Sequence, residues 1–376
     1  DAKLRRRAST RRTSPTSAVM RGARRGEFRL PEILTNRFRG RGLSDADVMP
    51  PADPAPVAAL LSHCPAHAPT PLVEAPGLAR RLGAARVSLK DERGRMGLGS
   101  FKALGAAYAI ARTAAGAGGP WGTALSGRVF VTASAGNHGL SVAAGARLFG
   151  AAAMVFLART VPEGFADRLR AKGAEVVRAG ATYEESMAAA ERAAAEPGRT
   201  LLSDSSWPGY VDLPWRVMEG YLQLAAEAAT QIGEPPTHIL LQAGVGGLAA
   251  AVAAHARAIW GDAPVIVVVE PAAAPALAES IRAGRPVTTR GPVSAMGRLD
   301  CKTPSLVALA GLARDADLFV TLSEAEAGVG TAALAEAGLT TTPSGAAGVA
   351  ALLAGLPGIG TEARILAFLT ERAEDD

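Results

Sequence analysis

The chain is 376 residues long, 48 % hydrophobic and formally +5 at neutral pH, enough to bury a large core and to divide into two lobes. Its two cysteines, Cys64 and Cys301, lie far apart, and its five histidines show no ligand spacing. That excludes a disulfide framework and a metal centre, fits a reducing cytoplasm, and, with no apolar run near the length of a bilayer span, gives no reason to expect a membrane partner.

The positive charge is local. Residues 1–42 hold 13 Lys and Arg against three acids, whereas the remaining 334 residues carry 27 basic and 32 acidic groups. The stretch from Arg5-Arg6-Arg7 to Arg24-Arg25 is rich in Arg, Ser and Thr and has no hydrophobic periodicity, so residues 1–42 are expected to be a disordered basic tail. Its composition suits a transit-like segment, a nucleic-acid arm or an extension upstream of a start near Met20, and it lacks the apolar stretch of a secretory signal. The body is net negative, so nucleic acid is not an expected partner of the folded part.

From there the chain alternates strand-like and helix-like segments, the pattern of α/β units on mainly parallel sheets. Strands are expected at Val87–Leu89, Val129–Thr132, Ala153–Leu157, Val176–Arg178, Ile239–Gln242, Val265–Val269, Leu318–Thr321 and Ile365–Leu369. Alanine-rich helices are expected at Tyr183–Ala195 and Trp215–Ala229, and Pro162 suits the first turn of another. The cluster Gly116-Ala117-Gly118-Gly119-Pro120 marks a surface loop.

Three loop motifs stand out in chain order. After the first strand, Ser100-Phe101-Lys102-Ala103-Leu104-Gly105 brings a lysine to the start of an amphipathic helix. A lysine in such an apolar run is costly to bury as a cation, and a depressed pKa would make Lys102 a Schiff-base nucleophile; otherwise it is a solvated stem. Next, Thr132-Ala133-Ser134-Ala135-Gly136-Asn137-His138-Gly139 leads a strand into a helix through small residues, exposing backbone N–H groups that suit a carboxylate. Ser134 can add a hydroxyl and Asn137 an amide; the simpler alternative is a turn whose Asn caps the helix. Finally, Leu240-Leu241-Gln242-Ala243-Gly244-Val245-Gly246-Gly247-Leu248 runs a strand into a glycine cup at a helix start, a place for a phosphate. A dinucleotide fingerprint would need G-x-G-x-x-G and an acidic partner for the ribose; the spacing here is G-x-G-G, which favours a phosphate monoester.

A lysine for an imine, an anion turn and a phosphate cup are what pyridoxal phosphate and an amino acid require. With these motifs, and with Pro69-Thr70-Pro71-Leu72, Lys90-Asp91-Glu92, Asp204-Ser205-Ser206-Trp207, Met218-Glu219-Gly220-Tyr221, Gly297-Arg298-Leu299-Asp300-Cys301 and Pro343-Ser344-Gly345-Ala346, the chain resembles the fold-type II pyridoxal-phosphate enzymes over roughly residues 65 to 370. Within that superfamily of threonine and serine dehydratases it is most similar to the diaminopropionate ammonia-lyases. The resemblance implies a tryptophan synthase β-like α/β fold of two lobes, each a mainly parallel sheet flanked by helices. A large cofactor-binding lobe would comprise 43–103 and 215–376, and a small mobile lobe 104–214. A homodimer is expected.

The resemblance also implies roles. Lys102 would hold the cofactor covalently and take the proton from Cα. Gly244, Val245, Gly246, Gly247 and Leu248 would hold the phosphate. Ser134, Ala135, Gly136 and His138 would line the substrate-carboxylate turn, with Asn137 near the cofactor's phenolic oxygen. A neutral hydroxyl at the ring nitrogen suits β-elimination, and Thr370 is the first choice for it, Ser344 the second; either could instead be a capping hydroxyl. Asp204 matches an acid on the substrate side of the pocket, able to bind or deprotonate a β-ammonium, or else simply forms a turn.

Two positions depart from the ammonia-lyase pattern. Ala135 stands where an aspartate thought to serve the D-isomer is common, and Thr342-Pro343 stands where a glutamate often precedes Ser-Gly-Ala. The leading expectation is therefore α,β-elimination on a small L-amino acid, 2,3-diaminopropionate, to pyruvate and ammonia. Asp204 favours it, whereas Ala135 favours an L-serine/L-threonine dehydratase or a β-replacement synthase. A non-catalytic cofactor-binding paralogue is a third reading, opposed by the intact Lys102, cup and turn.

Overall fold

All eight apolar runs become strands with at least one parallel neighbour in the computed structural model, which describes residues 31–44 and 47–373. In chain order the strands are β1 (Glu32–Thr35), β2 (Leu72–Glu74), β3 (Arg86–Asp91), β4 (Val129–Ala133), β5 (Ala152–Leu157), β6 (Glu175–Arg178), β7 (Arg199–Leu201), β8 (His238–Gln242), β9 (Val265–Pro271), β10 (Leu318–Leu322) and β11 (Arg364–Leu369). A seven-stranded sheet runs β1-β10-β9-β8-β11-β3-β2, and a four-stranded one runs β6-β5-β4-β7. The smaller sheet is parallel throughout; in the larger one only the edge strands β1 and β2 are antiparallel. Central strands buried on both faces need continuous apolar sequence, as in Val265–Val269, which is why the sequence displays them so clearly.

The described residues belong to one unit. The smaller sheet draws all its strands from residues 129–201, and the larger sheet takes its strands from either side of that stretch.

The expected tail boundary at residue 42 is corrected. Glu32–Thr35 pairs antiparallel with β10, Glu32 opposite Thr321 and Thr35 opposite Leu318. The following Asn36 is buried, and its side-chain amide donates to the carbonyls of Leu312, Ala313 and Ala316 at 3.2, 2.9 and 2.7 Å. Those carbonyls lie at the end of the helix Leu306–Asp315, where Leu312 also accepts from the Ala316 N–H, so one amide both caps a helix and anchors the segment. The arginine-rich stretch before residue 31 lies outside the described residues.

Every loop motif follows the C-terminal end of a strand: β3 leads toward Lys102, β4 to the Ser134 turn, β8 to the glycine cup and β11 to Thr370. In open α/β sheets that is the side on which ligands bind. No helix of the described residues is long and apolar enough to cross a membrane.

Candidate active site

The segment carrying the lysine is held from below by buried charges. Arg95 donates to Glu92, to Glu227 at 2.7 Å and to the Thr70 hydroxyl at 3.0 Å, while Lys90 donates to Glu227 at 2.8 Å and to the Thr70 carbonyl at 2.7 Å. Lys90, Glu92 and Arg95 are fully buried. Uncompensated charges at that depth would be strongly destabilising; here each cation meets a carboxylate and the set locks β3 to the helix Asp212–Gln231. Burial lowers the Lys90 pKa despite its contact with Glu227, whereas burial of Glu227 is overridden by Arg95 and Lys90, which hold that carboxyl down at about 2.

Beyond Arg95 the chain reaches Ser100 and Phe101. The Phe101 N–H donates to the Thr370 carbonyl at 3.1 Å, and Ser100 bridges Glu371 in antiparallel fashion. Lys102 then opens the helix Lys102–Ala117. Its ammonium donates to the Asp204 carboxylate, in the loop after β7. The two side chains are only 22 % and 19 % exposed. The expected depressed lysine pKa is corrected by this pair. Burial alone would lower it, but Asp204 outweighs burial and raises the Lys102 pKa above the ordinary lysine value. The same attraction holds the Asp204 carboxyl well below the usual carboxylate range, although burial opposes it.

At the second motif the helix Asn137–Leu148 begins after Gly136, which has no side chain to cap it. The Ser134 hydroxyl oxygen accepts from the Gly136 and Gly139 N–H groups at 3.2 and 3.1 Å, so its proton is left to donate. Ala135 is half-buried and packs on the core. The Asn137 amide donates to Glu371 Oε2. His138 is buried, its Nε2–H donating to the Leu202 carbonyl at 2.9 Å; burial lowers its pKa, while the ring still senses Asp204 and Lys102.

At the third, Gly246 has φ +100, a left-handed conformation that favours glycine, and a Cβ there would sit 3.1 Å from Ala308 Cβ and Leu277 Cδ1. The helix Gly247–Trp260 starts beyond it without a side-chain cap, which leaves the N–H groups of its first turn without intrahelical partners. A Cβ on Gly244 would meet Cys301 Sγ at 2.9 Å. Val245 accepts from the Ser305 N–H at 3.0 Å, and Leu248 is buried. Both candidate hydroxyls are buried: Ser344 Oγ accepts from the Arg298 N–H at 3.1 Å, and Thr370 Oγ1 accepts from Gln242 at 3.4 Å.

Four further side chains stand around these motifs and had no assigned part in the sequence reading. Tyr221 is buried, its ring 4.9 Å from Phe101, and its phenol senses both Lys102 and Asp204 while burial keeps it neutral. Cys301 lies against Gly244, and burial, with Asp204 adding to it, pushes its thiol up to about 12. Arg298 lies over the Phe165 ring at 5.4 Å, with Nε 3.8 Å from Glu371 Oε2. Glu371 joins the Asn137 amide to the Thr342 hydroxyl. Tyr221, Arg298 and Cys301 belong to quoted motifs; Glu371 had no signal beyond following Thr370.

Comparison with known proteins agrees over most of the chain. Residues 64–371 match the family described as pyridoxal-phosphate dependent enzyme. A diaminopropionate ammonia-lyase of Salmonella typhimurium is 33 % identical over 288 residues, covering 71 % of each chain. A serine dehydratase-like protein of mouse is 31 % identical over 240 residues, covering 64 % of this chain and 67 % of its own. A solved structure of holo diaminopropionate ammonia lyase from Escherichia coli superposes with a TM-score of 0.80 at 26 % identity, covering 90 % of this chain and 93 % of that one.

Proposed function

The chain belongs to the pyridoxal-phosphate-dependent enzyme family, and we infer that within it the protein is an ammonia-lyase acting on L-2,3-diaminopropionate. The products are pyruvate and ammonia. The donor set fits the cofactor: a lysine amine, an uncapped glycine-led helix start for the phosphate, and a buried hydroxyl close to the lysine segment. Lys102 would hold it, Gly244 to Leu248 would take the phosphate, Asn137 the phenolic oxygen and Thr370 the ring nitrogen. Thr370 ranks before Ser344 because its carbonyl is bonded to the Phe101 N–H, one residue from the lysine. Pyridoxal phosphate, when bound, draws electrons away from Cα and makes its proton acidic.

The remaining chemistry belongs to this chain. The Ser134 hydroxyl proton and the N–H groups of the turn other than those of Gly136 and Gly139 orient the substrate carboxylate. Lys102 removes the proton from Cα on its own side. Asp204 holds the second ammonium of the substrate, the group that leaves from Cβ. The observation that carries this reading is the Lys102–Asp204 contact: an ionised acid stands beside the reacting amine, where a second substrate cation would be bound. Serine and threonine bring no such cation. The dehydratase reading draws its support from Ala135, which leaves the turn without an acid.

We further take residues 104–214 as the smaller, mobile lobe, because β4 to β7 form a sheet of their own. A homodimer in the cytoplasm is the accompanying proposal; Cys64 and Cys301 both being free thiols supports the compartment. The test is release of pyruvate and ammonia from L-diaminopropionate, L-serine and L-threonine by the same preparation. Turnover of L-diaminopropionate at least tenfold above the hydroxy amino acids is expected; the reverse order moves the assignment to a dehydratase.

A further inference from the structure

Glu371 follows the last strand of the larger sheet, yet its contacts reach three separate parts of the site. The residue is 4 % exposed. By its backbone it is bridged to Ser100, and the adjoining Arg372 N–H donates to the Gly99 carbonyl at 2.9 Å, so it is fastened to the segment that carries Lys102. By its side chain, Oε2 accepts from Asn137 at the head of the helix Asn137–Leu148, and Oε1 accepts from Thr342. The Thr342 oxygen in turn caps the helix Pro343–Ala354 through the Gly345 N–H at 3.0 Å. The acid that the ammonia-lyase resemblance places just before Ser-Gly-Ala is absent from the sequence there; the carboxylate that meets Thr342 comes from Glu371 instead.

An ionised carboxylate only accepts hydrogen bonds, so it selects one of the two orientations of the Asn137 amide. With one N–H committed to Glu371, the other points elsewhere. Asn137 stands at the head of a helix from the smaller-sheet region and Glu371 at the end of β11, so the bond also links the two sheets beside Lys102.

We propose that Glu371 is a positioning residue that fixes the Asn137 amide so that its second N–H is presented to the cofactor's phenolic oxygen, and that ties the carboxylate turn to the lysine segment. This rests on the reading that the cofactor lies against Asn137. Loss of the Glu371 carboxylate lets the amide turn over and present its oxygen to another oxygen, which weakens cofactor binding without touching the phosphate cup. It also withdraws a donor that stabilises the ionised phenolic group, so that group titrates at higher pH.

The experiment is a double-mutant cycle on cofactor-free enzyme titrated with pyridoxal phosphate, followed by protein fluorescence and by the pH dependence of the visible band. N137A and E371A are each expected to weaken binding by about 10- to 100-fold and to move the titration of the band to higher pH. The double variant should be no weaker than the weaker single, because Glu371 acts through Asn137. E371Q should stay near the wild type, since its amide oxygen still accepts from Asn137. Should E371A fail to fold, E371M, close in size, takes its place in the cycle. Independent, multiplying losses in the double variant, or an unchanged band in the Glu371 variants, would overturn the proposal. Unchanged affinity in N137A would remove its premise and leave the family assignment standing on Lys102 and the glycine cup.

Discussion

The Lys102 ammonium donates to the Asp204 carboxylate, joining the first residue of one helix to the loop after β7. An acid in that place has two effects that mutation separates. It raises the lysine pKa against the opposition of burial, which bears on every substrate alike, and it offers an acceptor to a second substrate cation, which only a diamine brings.

Asp204→Asn should therefore lower turnover of both L-diaminopropionate and L-serine, but unequally. The common loss reports Lys102. The excess loss for the diamine reports a charge-assisted contact in a largely desolvated site, on the order of 2–3 kcal/mol, or about 30- to 150-fold in the ratio of kcat/KM values. Equal losses would make Asp204 a partner of Lys102 only.

The glycine cup makes a steric and an electrostatic prediction together. Gly246 has φ +100, and any Cβ there crowds Ala308 and Leu277 at 3.1 Å. Gly246→Asp adds a negative charge at the helix start expected to hold a dianion. Several charge-assisted bonds at roughly 1.5–3 kcal/mol each are at stake, enough to empty the site. The visible absorbance of the purified variant should vanish while its far-ultraviolet circular dichroism stays; full cofactor occupancy would place the phosphate elsewhere.

How far the sequence reveals this molecule follows from what each element buries. Strands buried on both faces, such as Val265–Val269, are apolar throughout and read directly. The three strands missed, β1, β2 and β7, are three or four residues long and lie at sheet edges, where one neighbour suffices and no apolar run is required. Lys102, Ser134 and Gly246 stand out in the sequence because a helix start expected to bind an anion or to hold a reactive amine needs a particular order of small and polar residues. The raised Lys102 pKa was not legible, because Asp204 lies 102 positions away and meets it only through the fold. Glu371 was silent for the same reason: its partners are 234 and 29 residues distant.

The buried charge cluster beneath Lys102 should give the protein a specific acid sensitivity. Arg95 and Lys90 hold the Glu227 carboxyl down at about 2, below its value in the unfolded chain. A depressed carboxyl contributes its full stability above the unfolded pKa, near 4.3, and loses it as pH falls through the folded value. The window is thus roughly pH 4.5 to 2, and the contribution lost is on the order of 3 kcal/mol. Glu227→Gln should be strongly destabilised at pH 7, by about 3–5 kcal/mol, because it leaves buried cations uncompensated, and should flatten the acid limb of the profile. Urea unfolding followed at pH 7, 4.5 and 3 checks both points; parallel pH profiles for the two proteins would assign the acid sensitivity to other groups.

The last prediction concerns handedness. A base can take a proton only from the face of the substrate it can reach, and proton removal on the two enantiomers requires bases on opposite faces. Lys102 stands on one side. On the turn, Ala135 carries no ionisable group, His138 has its Nε2–H committed to Leu202 and burial weakens the basicity of its buried Nδ1, and Ser134 already accepts two N–H bonds. Asp204 is bonded to Lys102 and is expected to serve the same side. The protein should therefore be selective for L-diaminopropionate, with D-isomer turnover lower by about 100-fold or more, the scale of a missing general base. Ala135→Asp would put an acid on the turn, and a gain in D-isomer turnover with L-isomer turnover held would locate the second face there. Comparable rates for both isomers in the unmodified protein would mean that another group, Tyr221 or Cys301 among those beside Lys102, moves the second proton.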